Sequence, residues 1–389
     1  MKSNREFVVV GGGIVGASIA YGLLQAGRQV TLLDGGPGDP KASVANFGLV
    51  WVQGKGPNLP AYQILTREAS DAWPAFSEGL LDAAGQKLET VSPDLAYERE
   101  GGLTFCLSEE DYQDRENYLN RLHNESGGLS KDCQMISRRE VEELLPGFRL
   151  GPEVVGASYC WRDGCVNPLN LSSILYASIR RLGGSIMPNT KVHGIDRKNS
   201  IWQLVVDGGL IEADNIVIAA GLETQRLAKL AGLNVPVHPQ RGQILVSERR
   251  PRTMRLPAST LRQTVDGSFL VGATKEDVGF DTSTTTNAAH ELARRIVRIH
   301  PDLENIKVVR QWGGLRIMTP DGAPVYEFGD GVSAVACHSG ITLTPIHAVQ
   351  IVDRILAGDK DTSLDTFSSA RFKAAPERLA ALMKSQASI

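Results

Sequence analysis

The chain has 389 residues, of which 42% are hydrophobic and 22% are charged, and its formal net charge is -3. These values are typical of a globular protein large enough for two lobes, and they exclude a strongly basic nucleic-acid-binding surface. The five cysteines are odd in number and include no Cys-x-x-Cys pair, which argues against a disulfide framework and against a zinc or other metal site.

The N-terminal segment is polar and leads directly into a strand-like run that glycines interrupt. This pattern predicts neither a secretory signal nor a transmembrane segment. We therefore expect a cytoplasmic protein that does not bind nucleic acid.

The opening stretch has the pattern of a dinucleotide-binding unit. Its parts, in chain order, are a strand over residues 7–10, a G-x-G-x-x-G motif at Gly11, Gly13 and Gly16, a helix from Ile14, a strand over residues 29–33, and Asp34. The glycines permit the tight turn, the approach of a pyrophosphate and the packing of helix on strand. The helix N-terminus favours phosphate, and the acid suits an adenosine ribose. Because an acid here disfavours NADP, FAD and NAD remain.

Similar elements recur much later in the chain. Asn167 is predicted to cap a helix that ends at Gly183, and two antiparallel runs meet at residues 207–209. An apolar strand over residues 332–336 precedes a turn at Gly340 and a predicted helix over 345–356. NAD domains are usually contiguous, so elements spread over three separate regions favour an FAD domain that insertions interrupt.

The chain resembles FAD-dependent amine and amino-acid oxidoreductases of the D-amino-acid oxidase and glycine/sarcosine oxidase type. Within that family it is most similar to β subunits of bacterial dehydrogenases for opines, proline or hydroxyproline. The resemblance is carried, in the family's order, by VVVGGGIVGASIAYGLLQAGRQVTLLD, SVANFGL, GCVNP, NIVIAAG, PQRGQ, GSFLVGAT, QWGGLRIMTPDGAPV and CHSGITLTP.

The resemblance implies a mixed α/β fold, in which an FAD-binding Rossmann-type domain carries an inserted antiparallel-sheet substrate domain. The expected FAD-binding domain comprises residues 1–73, 152–225 and 312–389, and the substrate domain comprises residues 74–151 and 226–311. The segments GLTFCLSE, GQILVSE and SFLVGAT are expected to be strands of one large sheet, with a helix over 291–299 against it.

The resemblance also implies the reaction. The family removes a hydride from the carbon that bears an amine and passes it to flavin N5, and the resulting imine hydrolyses. The expected substrate is an amino acid or a secondary amine with a carboxylate, such as an imino acid, an N-alkyl amino acid or an opine. The alternative is a flavin-carrying subunit that is active only with partner subunits.

The motifs together assign a set of residues to the flavin: Gly11, Gly13, Ile14, Val15, Gly16, Asp34, Ser43, Ala45, Asn46, Gly48, Leu49, Val192, Ala220, Gly221, Gly314, Gly340, Ile341, Thr342 and Leu343. No cysteine matches a recognised attachment position, so the expected FAD is non-covalent. An NAD-dependent dehydrogenase would instead be colourless.

Two residues are expected to act in catalysis. Arg316 occupies the position of the family's carboxylate-binding arginine, and a planar guanidinium suits a carboxylate. The alternative for Arg316 is a surface salt bridge. His338 either tunes the charge that grows on the flavin or is a structural histidine.

Three further residues are candidates for the substrate face. Trp51 and Gln53 follow the second cofactor segment, although Trp51 could equally pack in the core. Arg262 would suit a second acidic group on the substrate, such as that of an opine.

The sequence leaves several properties open. It does not determine which amine or stereoisomer is used, the electron acceptor, any general base, or whether the chain forms a homo-oligomer or joins a heteromeric dehydrogenase. The tail after residue 374 is predicted to form a short amphipathic helix that either docks on a partner or packs on its own lobe.

Overall fold

The computed structural model describes residues 5–36, 38, 41–85, 95–125 and 131–373. The strands, in chain order, are β1 (Arg5–Val10), β2 (Val30–Leu33), β3 (Leu49–Val50), β4 (Gly102–Cys106), β5 (Cys133–Ser137), β6 (Gly156–Cys160), β7 (Gly164–Cys165), β8 (Ser185–Met187), β9 (Val192–Lys198), β10 (Ile201–Val206), β11 (Gly209–Ile218), β12 (His238–Arg249), β13 (Leu261–Gln263), β14 (Ser268–Gly272), β15 (Val308–Met318), β16 (Val325–Gly329) and β17 (Val332–Ala336). The α-helices are α1 (Ile14–Gln25), α2 (Pro60–Ala84), α3 (Glu109–Glu125), α4 (Arg138–Leu144), α5 (Pro168–Arg181), α6 (Thr224–Leu230), α7 (Thr286–Ile299), α8 (Thr344–Ala348) and α9 (Gln350–Ala357).

The largest sheet has a parallel, Rossmann-like core. Its strand order is β16-β17-β11-β1-β2-β8, and β9 and β10 extend it from β11 as antiparallel strands. β1 pairs in parallel with both β2 and β11, and β11 pairs in parallel with β17. Val8 and Val9 point to opposite faces and are both fully buried, which explains the continuous apolar run in the sequence. This part of the fold confirms the predicted class.

Four helices cover one face of this sheet. Their buried side chains share one core, which includes Leu23 of α1, Trp73 of α2, Leu171 of α5 and Ile346 of α8. The cap of α5 is as predicted, because the Asn167 side chain accepts hydrogen bonds from the amides that open the helix, at 3.0 and 3.3 Å. The predicted helix over 345–356 is instead two helices, α8 and α9, which are separated at Val349 (φ -118°, ψ -75°).

The strands predicted to form one large antiparallel sheet belong to two sheets, and β3 and β7 form a further two-stranded antiparallel sheet. β12, β13, β14 and β15 form a four-stranded sheet in the order β13-β14-β12-β15, whereas β4 belongs to a three-stranded sheet with β5 and β6. The sequence predicts that GLTFCLSE lies in the same sheet as GQILVSE and SFLVGAT. Its strand, β4, instead pairs along its length with β6. Helix α7 covers the four-stranded sheet as predicted, since Leu292 and Ile296 pack with Leu245 and Phe269.

The predicted division into two lobes stays a proposal. α2 runs across its first boundary, β15 runs across residue 312, and β6 pairs with β4 and β5. Among the helices that the structure describes, none combines the length and apolarity needed to span a bilayer. The predicted tail helix lies outside the described residues.

Candidate cofactor and substrate site

A cavity opens at the carboxyl ends of β1, β2, β11 and β17, the edge at which open α/β sheets bind ligands. Nine of the residues assigned to the flavin line it: Gly11, Gly13, Ile14, Val15, Asp34, Ser43, Val192, Ala220 and Gly221. They come from four separate stretches of sequence, so the fold brings together what the motifs predicted piece by piece.

Two glycines of the glycine-rich turn allow protein backbone to pack more closely than a side chain would permit, and the third faces the Ser43 hydroxyl. A Cβ on Gly11 (φ +115°) would lie 2.3 Å from the Ala219 carbonyl oxygen, and a Cβ on Gly16 would lie 1.9 Å from the Gly11 carbonyl oxygen. A Cβ on Gly13 would point instead toward the Ser43 hydroxyl, 3.2 Å away. The Ile14 amide, at the start of α1, donates to that hydroxyl at 2.9 Å. The turn therefore provides a cradle and a helix N-terminus of the kind that binds pyrophosphate.

Asp34 directly follows β2 and is almost completely buried. Its carboxylate accepts hydrogen bonds from Lys41 Nζ at 2.7 and 2.8 Å, from the Gly36 amide at 3.0 Å and from the Tyr176 hydroxyl at 2.7 Å. Burial by itself would raise the pKa of Asp34, but these hydrogen bonds and the Lys41 charge lower it overall. Asp34 is thus an ionised acceptor at the position that the motif predicts for the ribose. The motifs did not single out Lys41 or Tyr176, and Tyr176 comes from the distant helix α5.

The second cofactor segment contacts β15 at Ala45. A Cβ on Gly314 would lie 2.3 Å from the Ala45 Cβ, and Trp312 Nε1 donates to the Ala45 carbonyl at 3.2 Å. The Asn46 side chain accepts from the Gly48 amide at 2.7 Å, which shapes the turn before Leu49. None of these residues lines the cavity itself, but Ser43 and Ile317, which do, are their near neighbours in sequence.

The last predicted segment, residues 340–343, is fixed by buried neighbours. A Cβ on Gly340 would lie 3.1 Å from Val15 Cγ2, so this turn lies against the start of α1. The Thr342 hydroxyl accepts from the Trp51 amide at 3.0 Å, and Trp73 Nε1 donates to the Thr342 carbonyl at 2.9 Å. Ile341 and Leu343 are buried.

The other end of the cavity is apolar and suits a flat ring system. Ile317, Val335, Ala336 and Cys337 line it. Burial raises the pKa of the Cys337 thiol to about 12, so this sulfur stays protonated. A polar cradle at one end and an apolar wall at the other fit FAD.

Arg316 adjoins this apolar end. Its guanidinium lies across Gly242, where a Cβ would be 2.6 Å from Nη2. It donates to the Thr274 carbonyl at 2.8 Å, the Arg241 carbonyl at 3.2 Å and the Gln240 side chain at 3.4 Å. Burial lowers the pKa of Arg316 to about 10, and Glu276 partly offsets this. Because arginine has five N–H donors, the guanidinium is held in place with donors to spare.

The neighbouring Arg241 differs from Arg316 because it has carboxylate partners. It is 3% exposed and is paired with Glu276 at 2.7 Å and with Asp281. Within the described ranges, Arg316 has no carboxylate within 4 Å. An external carboxylate would therefore be its first ionic partner.

His338 and Lys55 lie together next to Cys337. Lys55 Nζ is 3.5 Å from His338 Nδ1. Burial lowers the pKa of His338 well below its usual range, and the charges of Lys55 and Arg316 act in the same direction, so the ring is neutral. Burial also lowers the pKa of Lys55 to about 8. Sequence reasoning missed Lys55, although its place two residues after Gln53 could have marked it.

The remaining substrate candidates lie inside the protein. Trp51 is 9% exposed, and its ring packs against Gly102 so closely that a Cβ on Gly102 would lie 2.6 Å from the ring. Gln53 is 2% exposed, and both ends of its amide are hydrogen-bonded to protein groups, including Asp163 at 2.7 Å and Ser158 at 2.6 Å. We therefore leave Trp51 and Gln53 out of the proposed substrate face.

Arg262 is 6% exposed and packs against the Phe47 ring and the Gly48 backbone. Burial lowers its pKa, and the nearby Cys165 and Glu98 oppose this shift. It thus lies beneath the second cofactor segment, not with Arg316, and we do not assign it to the substrate.

One cluster of metal-ligand type occurs in the part of the chain that the structure describes: Asp132, Cys133 and Cys160. The Asp132 carboxylate already accepts a hydrogen bond from Arg67 Nε at 2.7 Å and forms an ion pair with Arg162, whose Nε lies 3.0 Å away. Two guanidiniums beside this carboxylate oppose a cation, so the cluster is explained as a buried ion pair.

We expect His347 to make the stability of the protein sensitive to acid. This buried side chain faces Tyr326, whose hydroxyl is 3.2 Å from His347 Nε2, and burial lowers its pKa to about 3. As the pH falls through about 6.5, the unfolded state gains a proton that the folded state does not. When the pH is lowered from 7.5 to 5, we expect the free energy of unfolding of wild type to fall by about 2 kcal/mol more than that of His347→Gln.

Urea unfolding at the two pH values measures this difference. His290→Gln, on an exposed position of α7, is the control and should retain the acid sensitivity of wild type. An unchanged pH dependence in His347→Gln would refute the assignment.

Comparisons with known proteins agree with this geometry. The family model described as FAD dependent oxidoreductase matches residues 6–354. A subunit of opine oxidase from Agrobacterium tumefaciens (strain Ach5) is 36% identical over 372 residues, which cover 95% of this chain and 98% of that protein. The crystal structure of glycine oxidase from Geobacillus kaustophilus superposes with a TM-score of 0.82 at 25% identity, covering 94% of this chain and 98% of that one.

Proposed function

The chain belongs to the family of FAD dependent oxidoreductases, and we propose that it oxidises the C–N bond of an amino acid or secondary amine that carries a carboxylate. The observation that carries the proposal is Arg316, a fixed guanidinium beside the apolar end of the FAD cavity, without a carboxylate partner among the described residues. Bound FAD supplies the redox chemistry by accepting two electrons and a hydrogen from the substrate carbon.

The chain's own residues orient the substrate. Arg316 binds the carboxylate through its planar fork, which places the adjacent carbon near the apolar end of the cavity. The hydrogen bonds from Arg316 to the Thr274 and Arg241 carbonyls fix that fork before substrate arrives. The neutral ring of His338, beside Cys337, can offer one donor and one acceptor to the substrate amine or to the flavin.

We propose that the FAD is non-covalent. Cys337 adjoins the cavity, but its sulfur lies 3.9 Å from His347 Nε2 in the helix-side core, and the thiol stays protonated because burial raises its pKa to about 12. A protonated thiol is a poor nucleophile. Acid precipitation should therefore release all yellow colour from the protein.

A second candidate function is that of a flavin-carrying subunit that works only with partners. It is favoured by one observation, that the relative from Agrobacterium tumefaciens is named as a subunit of opine oxidase. In that case the electrons leave through another chain of the assembly.

An anaerobic reduction experiment tests both candidates. The FAD-loaded chain is mixed with D- and L-amino acids, N-methylglycine, proline and N-(carboxyalkyl) amino acids, and the visible flavin absorption is followed. Bleaching by an amine that carries a carboxylate supports the first function. A yellow protein that no such amine bleaches, while the assembly purified from its host is bleached, supports the second.

A further inference from the structure

A group of positive side chains, which we call the cationic cluster, lies close to Ile317 and Cys337, the residues that line the apolar end of the cavity: Arg316 precedes Ile317, and Lys55 contacts His338, which follows Cys337. Its members are Arg316, Lys55 and Lys275. Arg316 is anchored to the carbonyl of Thr274, the residue before Lys275, and Lys55 Nζ lies 3.5 Å from His338 Nδ1. Each of the three charges helps to lower the pKa of His338, so all three lie within electrostatic reach of that histidine, and Lys55 is in direct contact with it.

The acids nearest to the cluster are already engaged. Glu276 accepts from Arg241 at 2.7 Å and from Gln243 at 2.9 Å. Asp163 is fully buried and accepts from the Val52 amide at 2.5 Å and the Gln53 side chain at 2.7 Å. Burial raises the pKa of Asp163 to about 7, so it offsets Lys55 only in part.

Two cations of the cluster therefore lack an ionic partner within the described residues: neither Arg316 nor Lys55 has a carboxylate within 4 Å. Unpaired charges that are partly buried are costly to maintain. A ligand with one carboxylate would pair Arg316 and leave Lys55 unpaired. A ligand with two carboxylates would pair both.

We propose that Lys55 binds a second carboxylate, so that the preferred substrates are secondary amines with a carboxylate on each side of the nitrogen. This inference rests on the proposed function and narrows its substrate class to N-(carboxyalkyl) amino acids. It replaces Arg262, which the sequence had suggested for the second acid, because Arg262 is buried under Phe47 and Gly48.

A matched pair of amines tests the proposal. N-(carboxymethyl)glycine and N-ethylglycine differ only in a terminal carboxylate or methyl group. We expect kcat/KM for the first to exceed that for the second by roughly tenfold or more in wild type. Lys55→Met should remove most of this preference while changing N-ethylglycine little, and Lys55→Arg should restore part of it. Lys307→Met, an exposed lysine before β15, is the control and should keep the preference.

Binding of inert analogues separates this inference from the proposed function. Glutarate and pentanoate have the same chain length with two carboxylates and one, and neither has an amine to oxidise. Calorimetry on the FAD-loaded wild type should show glutarate binding roughly tenfold more tightly, and this requires no variant to fold. If neither amine bleaches the flavin but glutarate is still preferred, the proposed function fails and the second-carboxylate site stands.

Three results would overturn the inference. The first is equal binding of glutarate and pentanoate to wild type. The second is a Lys55→Met variant that weakens both amines by the same factor. The third is a Lys55→Met variant that keeps the preference but shifts the flavin reduction potential, because Lys55 would then serve the flavin rather than the substrate.

Discussion

Gly11→Ala is expected to abolish FAD binding and to destabilise the protein by about 3 kcal/mol or more. Gly11 has φ +115°, a conformation that side chains disfavour, and its new Cβ would lie 2.3 Å from the Ala219 carbonyl oxygen. The clash would push β1 away from the end of β11, where Ala220 and Gly221 line the cavity. The visible spectrum of the purified protein and its urea unfolding curve measure the two effects.

Substitutions at two other glycines separate the effect of backbone strain from the effect on FAD binding. Gly183 has φ +88° with no atom within 4 Å of an added Cβ, so Gly183→Ala should cost about 1 kcal/mol and leave the yellow colour intact. Gly13→Ala meets only the Ser43 hydroxyl, at 3.2 Å, and should fold yet hold FAD more weakly, because the methyl group enters the pyrophosphate cradle. A Gly11→Ala protein as yellow and as stable as wild type would contradict this account.

Arg316→Met should lower kcat/KM for carboxylate-bearing amines roughly 150-fold, which corresponds to about 3 kcal/mol of lost charge-assisted hydrogen bonding. FAD content should be unchanged, since Arg316 does not line the cofactor cavity. Stopped-flow reduction under anaerobic conditions measures the effect before any electron acceptor is involved.

The same strand offers a control for Arg316. Arg310 lies on β15, is exposed, and rests over the Trp312 ring. Arg310→Met should retain wild-type rates, whereas Arg316→Lys should recover only part of the loss because an ammonium has no planar fork. If Arg316→Met oxidised amines with and without a carboxylate as well as wild type, Arg316 would not bind the substrate.

Local patterns explain why the cofactor half could be predicted. The strand, the glycine turn, the helix from Ile14 and Asp34 follow one another within about 30 residues, and each step is constrained by backbone geometry that neighbouring residues set. The cap at Asn167 is local in the same way. The order of the family motifs extended this prediction to residues 220–221 and 340–343.

Pairing across long sequence separations limited the other predictions. Whether β4 joins β6 or the strands of the other sheet depends on which edges meet after folding, and the alternating apolar pattern is the same in both cases. The break at Val349 between α8 and α9 also leaves no mark in the apolar spacing. Such choices are made by tertiary packing rather than by local propensity.

The sequence by itself determined the dinucleotide-binding unit, the cofactor class and the position of Arg316, because these depend on short motifs with fixed geometry. Only the tertiary structure decided which charged side chains are paired. In sequence, Arg241, Arg262 and Arg316 look alike, and Lys55 is an unremarked lysine between glycines. They differ in the structure because Glu276 and Asp281, both distant in sequence, fold onto Arg241, whereas Arg316 and Lys55 have no carboxylate within 4 Å among the described residues.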